Sequence, residues 1–260
     1  MWIGELISQY GIGNGVSLII FAGIVSSIPN TLRQAIFTFD SSQIPLFLGF
    51  LVSAVLIVAA VVFITEGERP IPVSYAKRIR GMRMYGGVST YLPLKVNQAG
   101  VIPIIFALSI LLFPQMIINF IAGSPNVFVQ KFAGFTLSLL NNAWLYGFMY
   151  FILVFLFTYF YTAVTFDPEA IASNLQKSGG FIPGMRPGRP TGGFLSYVIN
   201  RITLVGGMFL GIVAVLPLIM QGVTGAAFLT IGGTALLIVV SVALETMKQI
   251  KAQLTMREYE

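Results

Sequence analysis

The stretch that decides the fold runs from Trp144 to Met220 and consists of two apolar segments around a charged one. The first apolar segment, 144–166, reads WLYGFMYFILVFLFTYFYTAVTF, and the second, 202–220, reads ITLVGGMFLGIVAVLPLIM. Neither carries a charge, and each approaches the roughly 20 apolar residues that cross a bilayer. Between them lies KSGGFIPGMRPGRP, residues 177–190, whose glycines, prolines and basic side chains indicate a loop in water.

The composition of the whole chain extends this pattern. Of the 260 residues, 56% are hydrophobic and 9% are charged, whereas about 25% of the residues of an ordinary soluble domain are charged. The sequence therefore predicts an integral membrane protein. It contains no cysteine and no histidine, which excludes disulfides, thiolate nucleophiles and the usual zinc ligands, so we expect neither a metal nor a cofactor. The first residues lack a basic region and a cleavage site, so we expect no removable signal peptide.

The uncharged intervals of the sequence give the number of spans. These intervals are 6–32, 41–65, 96–130, 132–166 and 202–244. The last is long enough for two spans with a turn at 221–225, since Pro217 and several glycines disfavour a single long helix. We therefore predict an all-α membrane protein, a bundle of six transmembrane helices with a cytosolic β-hairpin loop. Its spans lie at about 12–29, 45–65, 101–121, 144–166, 202–220 and 227–245.

The distribution of lysine and arginine predicts the orientation. If both termini and the loops 66–100 and 167–201 share one side, that side holds thirteen basic residues and the other holds only Arg33 and Lys131. The thirteen are Arg69, Lys77, Arg78, Arg80, Arg83, Lys95, Lys177, Arg186, Arg189, Arg201, Lys248, Lys251 and Arg257. Because basic loops stay in the cytosol, both termini are predicted to be cytoplasmic.

The loop 66–100 has the pattern of two paired strands. Apolar residues alternate with polar or small ones around 71–75 and again around 88–92, and the segment between them, 77–83, holds four basic residues. These charges either only fix the topology and keep the loop soluble, or form a binding surface for an anionic partner. We favour the binding surface, for which RNA and phospholipid headgroups both qualify.

The predicted membrane interior lacks ionisable side chains. Every acidic or basic residue falls at the end of a span or in a loop, whereas ion-coupled carriers and proton pumps keep such a group inside the membrane. No inverted repeat is visible, and no catalytic constellation is present. We therefore expect a passive conduit or a docking platform rather than an enzyme. Gly207 and Gly211, with Gly206 widening the same face, predict close helix packing.

Several blocks of this sequence match a known family. They are GIGNGVS (11–17), IFAGI (20–24), YAKR (75–78), YLPLKVN (91–97), AGVIP (99–103), NLQKSGGFIPGMRPG (174–188) and GGT (232–234). In these blocks the chain resembles the SecY family, the channel subunit of the bacterial Sec protein translocon. The family has ten spans, and the resemblance covers the last six. We therefore expect the chain to be a fragment or one part of a split assembly, completed by the missing N-terminal part of the same channel, with its plug and one wall of its lateral gate.

The resemblance implies a pore and a gate. Four positions match a ring of aliphatic side chains that narrows the family's channel, namely Val16, Ile20, Ile105 and Ile238. An apolar collar of this kind resists ions and deforms around a passing polypeptide. Three positions, Ile105, Ser109 and Phe113, match the retained half of the lateral gate. Without the resemblance, spacing alone would give these residues an ordinary packing role.

The resemblance also implies docking surfaces for the ribosome and the SecA ATPase. Arg186 matches the family's principal loop arginine, and Lys77, Arg78, Arg80, Arg83, Lys177 and Arg189 are weaker candidates. Proline and glycine beside Arg186 restrict the backbone, so its guanidinium is presented to phosphate or carboxylate with little ordering cost. The alternative is an arginine that only sets topology. Further implied partners are SecE, SecG, signal sequences, nascent polypeptides and the phospholipid bilayer.

Together these observations predict a protein-conducting channel subunit of the bacterial cytoplasmic membrane. It would pass unfolded secretory polypeptides across and release membrane helices sideways, without catalysis of its own. The alternative is a six-span passive solute permease or channel with basic regulatory loops in the cytosol.

Overall fold

The architecture comes from a computed structural model, which describes residues 2–11, 13–37, 44–75, 78–80, 83–85, 89–121, 127–224 and 228–258. The helices are α1 (Trp2–Tyr10), α2 (Gly15–Phe37), α3 (Ile44–Glu66), α4 (Ile102–Ile121), α5 (Val127–Leu140), α6 (Ala143–Thr165), α7 (Pro168–Lys177), α8 (Arg189–Thr224) and α9 (Phe228–Glu258). The strands are β1 (Glu68–Tyr75), β2 (Arg78–Arg80), β3 (Arg83–Tyr85), β4 (Ser89–Lys95) and β5 (Gly180–Phe181). The predicted fold, a helical bundle with a small antiparallel hairpin, is confirmed.

Each of the six predicted spans overlaps one helix, in the order α2, α3, α4, α6, α8 and α9. Within the described ranges, α4, α6 and α8 are long and apolar enough to cross a membrane, and the bent pair α1–α2 would add a fourth crossing if it counts as one. The chain is therefore a membrane protein, and the number of six spans stays a prediction.

Several helices extend beyond the predicted spans, and α8 does so at both ends. Helix α8 begins at Arg189 rather than at Ile202 and continues through Pro217 to Thr224. The loop 167–201 is thus largely helical, since it contains α7 and the first turns of α8. Pro217 does not end the helix, because a proline within a membrane helix is tolerated where neighbouring groups compensate for its missing N–H.

The packing of α6 against α8 forms the centre of the bundle. Gly207 faces Phe155 of α6, where an added Cβ would lie 3.2 Å from the ring, and Gly211 faces Phe151 at 2.7 Å. Both glycines therefore let the aromatic rings of α6 approach the α8 backbone, as the spacing of the two predicted. Residues of α3, α4, α6, α8 and α9 complete one apolar core around this contact.

The sequence suggested that Gly206 widens the face formed by Gly207 and Gly211. In the structure, Gly206 instead faces the backbone just after β4. An added Cβ at Gly206 would lie 2.5 Å from the carbonyl oxygen of Val96. The amide of Val96 in turn donates to the carbonyl of Gly67, at 2.8 Å. The absence of a side chain at Gly206 thus lets α8 touch the backbone at the base of the first loop.

A sheet joins the two loops that the sequence places in the cytosol. Strands β1 and β4 pair in antiparallel register, with Glu68 opposite Lys95 and Ser74 opposite Ser89. Strand β5, from the second loop, pairs with the other edge of β1, so the strand order is β4-β1-β5. The shorter strands β2 and β3 pair with each other in the basic segment between β1 and β4. The hairpin was predicted, whereas the third strand from the second loop was not.

Candidate docking platform and apolar collar

The second loop is built around a capped helix. The side chain of Asp167 accepts hydrogen bonds from the amides of Glu169, at 2.9 Å, and Ala170, at 3.1 Å. Pro168 occupies the first helical turn, where its missing N–H costs nothing. Helix α7 therefore begins immediately after α6 ends, and it directs the chain back along the first turns of α8.

The chain after α7 is anchored by one edge strand and one buried side chain. Gly180 and Phe181 pair with Tyr75 and Ser74 of β1. Ile182, which follows them, is buried in a cluster of apolar residues from both loops and from α8. The buried members of this cluster are Ile71, Leu94, Ile182, Leu195, Val198 and Ile199. We call the three-stranded sheet, α7, the first turns of α8 and this cluster the loop platform.

Arg186 lies in a turn of the platform between two glycines with positive φ angles. Gly184 and Gly188, two residues before and after it, have φ angles of +84° and +100°, in the left-handed region that favours glycine. The carbonyl oxygen of Arg186 accepts a hydrogen bond of 2.9 Å from the hydroxyl of Thr191. The Arg186 side chain is exposed, and no described carboxylate pairs with it. The arginine is thus a free cation on a restrained backbone.

The other predicted docking residues fall into two groups. Lys177, the last residue of α7, and Arg189, the first of α8, are exposed on the platform, and no described carboxylate forms an ion pair with either of them. Arg78, Arg80 and Arg83 lie on strands β2 and β3. Lys77 lies outside the described residues. The structure therefore brings Lys177, Arg186 and Arg189 into one folded unit, whereas Arg78, Arg80 and Arg83 lie on a separate two-stranded sheet.

Two further features of the platform bear on its charge. The guanidinium of Arg201 lies 4.7 Å from the centre of the Tyr197 ring on the preceding turn of α8, a cation–π contact. The loops 66–100 and 167–201 carry excesses of four and two positive charges. A surface of this kind attracts polyanions or acidic protein patches.

Three of the four predicted collar residues meet at one apolar core. Ile238 of α9 is 6% exposed and belongs to the buried set, while Ile20 of α2 and Ile105 of α4 are half-buried and pack against the same set. Val16 is 38% exposed, and its Cγ2 lies 2.8 Å from where a Cβ on Gly4 of α1 would stand. Ile20, Ile105 and Ile238 thus share one apolar core, whereas Val16 lies at the junction of α1 and α2.

The predicted gate residues share one stripe of α4. Ile105, Ser109 and Phe113 follow each other at intervals of four residues, which places them on the same helix face. The Ser109 hydroxyl donates to the carbonyl of Ile105 at 2.8 Å, so it is satisfied within the helix. Phe113 is 64% exposed. This stripe thus runs from the apolar core out to an open surface.

Sequence reasoning missed two residues that build the platform. Thr191, which holds the Arg186 carbonyl, is 2% exposed, and Ile182 fastens the second loop to the first loop and α8. A threonine shortly after a Pro-Gly turn, at the start of an amphipathic run, was the available signal for Thr191. Among the described residues no cluster of His, Cys, Asp or Glu could hold a metal ion.

Comparisons with known proteins agree on one family. A family model described as SecY matches residues 1–247. The protein translocase subunit SecY of Mycobacterium tuberculosis is 49% identical over 267 residues, which cover 100% of this chain and 60% of the relative. The SecY subunit of Thermus thermophilus is 47% identical over 263 residues, covering 100% and 59%. The chain thus spans about 60% of the length of these relatives.

Solved structures show the same fold. A structure of a protein-conducting channel matches with a TM-score of 0.59 and 20% sequence identity, covering 96% of this chain and 61% of the other. A second, from work on the plug domain of SecY, matches with a TM-score of 0.60 and 20% identity, covering 96% and 62%.

Proposed function

This chain belongs to the SecY family, and from that premise we propose that it forms part of a protein-conducting channel. In this role it lines the path by which unfolded secretory polypeptides cross a membrane, and it lets membrane helices leave the channel sideways into the bilayer. Its curated relatives are named protein translocase subunits, and this transport role supports the proposal.

The observation that carries the proposal is the loop platform. Two loops far apart in the sequence share one sheet and one apolar cluster at the end of the helical bundle. The platform presents Arg186, Lys177 and Arg189 without a described carboxylate partner. Rigid, uncompensated cations suit the docking of a large anionic body such as the ribosome, or of an acidic surface on a motor ATPase such as SecA.

The collar supports the second part of the proposal. Ile20, Ile105 and Ile238 contact one apolar core, and none of them carries a polar group that would bind a passing ion or side chain. An aliphatic constriction repels hydrated ions and still deforms around an extended polypeptide. The stripe of α4 from the half-buried Ile105 to the exposed Phe113 would then be the wall along which apolar segments leave the channel.

The setting follows from the same premise. We place the chain in the bacterial cytoplasmic membrane with both ends in the cytosol, because the basic platform then faces the cytosol. SecE, SecG, SecA, the ribosome and the remaining part of the channel are its proposed partners. The partners supply the energy, and the chain itself contributes a path and a docking surface rather than a reaction. A solute permease is not favoured, since the relatives are translocase subunits.

Crosslinking tests the collar. In the complete channel with its partner subunits, Ile105→Cys and Ile238→Cys are expected to form a disulfide with a cysteine in a secretory chain stalled during transfer, because a collar residue touches whatever passes. This chain contains no cysteine of its own. With any cysteine elsewhere in the complete channel replaced by serine, each adduct, measured as a shifted band on a non-reducing gel, reports one site.

Phe160→Cys is the matched control. Phe160 is exposed and lies on α6, which carries no predicted collar or gate residue, so it is expected to give no adduct. If neither Ile105→Cys nor Ile238→Cys reacts while other channel positions do, the collar assignment is wrong.

A further inference from the structure

We propose that Thr191 is a positioning residue for Arg186, and that its buried hydroxyl sets the backbone from which the arginine is presented. The inference rests on the proposed docking function of the platform and adds to it the group that gives Arg186 its geometry.

The donor of this contact is buried, and the acceptor belongs to an exposed residue. Thr191 is 2% exposed, and its Oγ1 donates to the carbonyl oxygen of Arg186 at 2.9 Å. Thr191 stands in the first turn of α8, whose next turns bury Leu195, Val198 and Ile199 in the platform cluster. The donor therefore lies on a helix that is anchored in the apolar cluster, and the acceptor belongs to the residue whose side chain is exposed.

The backbone of Arg186 is also restricted by the residue that follows it. Pro187 follows Arg186, and a residue before proline is confined to extended conformations. The Thr191 hydroxyl then selects the direction of the Arg186 carbonyl, and with it the direction of the side chain. In addition, the amide of Gly192 donates to the carbonyl of Gly188, at 3.2 Å, which closes the turn between them.

This arrangement has a consequence for docking. A cation on a mobile loop must lose backbone freedom when it binds, whereas a cation on a fixed backbone has lost it during folding. Without the Thr191 hydroxyl, the loop would bind the same partner with the same side chain but with a larger ordering cost. Loss of the hydroxyl is therefore expected to lower the affinity for the partner. The rate of transport at a saturating concentration of the partner is expected to stay unchanged.

The test compares two substitutions that differ in one group. Thr191→Val keeps the shape of the side chain and removes the hydroxyl, and Thr191→Ser keeps the hydroxyl. In the complete membrane-embedded channel, binding of vacant bacterial ribosomes is expected to weaken about fivefold with Thr191→Val, as for one net hydrogen bond. Thr191→Ser is expected to bind within about twofold of the parent, since it retains that bond.

Arg186→Ala in the same assay separates the two ideas. If Arg186→Ala leaves ribosome binding unchanged, the proposed docking function of this loop fails. If Arg186→Ala weakens binding but Thr191→Val does not, or if Thr191→Ser is as defective as Thr191→Val, the positioning role of Thr191 is overturned.

A spectroscopic measurement tests the role without any partner. A nitroxide attached at Arg186→Cys is expected to give a sharper, more mobile spectrum when Thr191→Val is added, and an unchanged spectrum when Thr191→Ser is added. Identical spectra for all three proteins would refute the inference, even if Thr191→Val assembled too poorly for binding to be measured.

Discussion

Arg186→Glu is expected to stop export through the complete channel while the protein still inserts into the membrane in normal amount. The substitution removes a charge-assisted contact to an anionic partner and replaces it with repulsion, at a cost of about 2–5 kcal/mol. That cost corresponds to a loss of affinity of about thirtyfold at the lower end of this range. The side chain is exposed and supports no other described group, so the fold of the platform stays intact.

The measurement is the rate of secretion of a marker protein beside the amount of membrane-inserted channel. Arg201→Glu is the matched control, because it changes the net charge by the same amount on the same platform. Its own guanidinium is occupied by the Tyr197 ring, and Arg201 is not among the predicted docking residues. Normal secretion by Arg186→Glu, at normal channel levels, would show that this arginine only sets topology.

Gly206→Ala is expected to destabilise the protein far more than its single methyl group suggests. The new Cβ would stand 2.5 Å from the carbonyl oxygen of Val96, and a backbone atom cannot rotate away as a side chain can. Val96 is itself held by its hydrogen bond to Gly67. Overpacking of this kind costs about 1–3 kcal/mol, which lowers the thermal midpoint of a domain of this size by roughly 2–12 °C.

Gly193→Ala provides the comparison on the same helix. No atom lies within 4 Å of a Cβ at Gly193, and an exposed helical glycine is about 0.5–1 kcal/mol less favourable than alanine. Gly193→Ala is therefore expected to raise the midpoint slightly or leave it unchanged. The measurement is the thermal unfolding midpoint of both variants in detergent. Equal midpoints would contradict the close approach of α8 to the backbone of the first loop.

The gate and collar residues illustrate what resemblance adds to residue patterns. Ile20, Ile105 and Ile238 are ordinary aliphatic residues, and no periodicity distinguishes a collar from lipid-facing packing. In the structure all three belong to or pack against one apolar core, to which α2, α4 and α9 each contribute. Val16, which belongs to the same predicted ring, lies instead beside Gly4 of α1. The collar itself therefore stays a prediction that crosslinking must test.

The amino-acid sequence by itself determined the class of the protein, the positions of its long apolar helices and the hairpin in the first loop. These features follow from local rules: an uncharged run of sufficient length forms a helix in a membrane, and alternation around a turn forms paired strands. The packing role of Gly207 and Gly211 was readable for the same reason, since their spacing puts both on one helix face.

Only the tertiary structure decided how the two basic loops combine. Strand β5 is two residues long, too short to show a periodicity, and it exists because the edge of β1 offers it hydrogen-bonding partners. Two further contacts exist only in the folded chain. One is the close approach of Gly206 to Val96, and the other is the hydrogen bond from Thr191 to Arg186. Local sequence patterns encode which segments can form helices or strands, whereas the partner of each segment depends on packing between elements distant in the sequence.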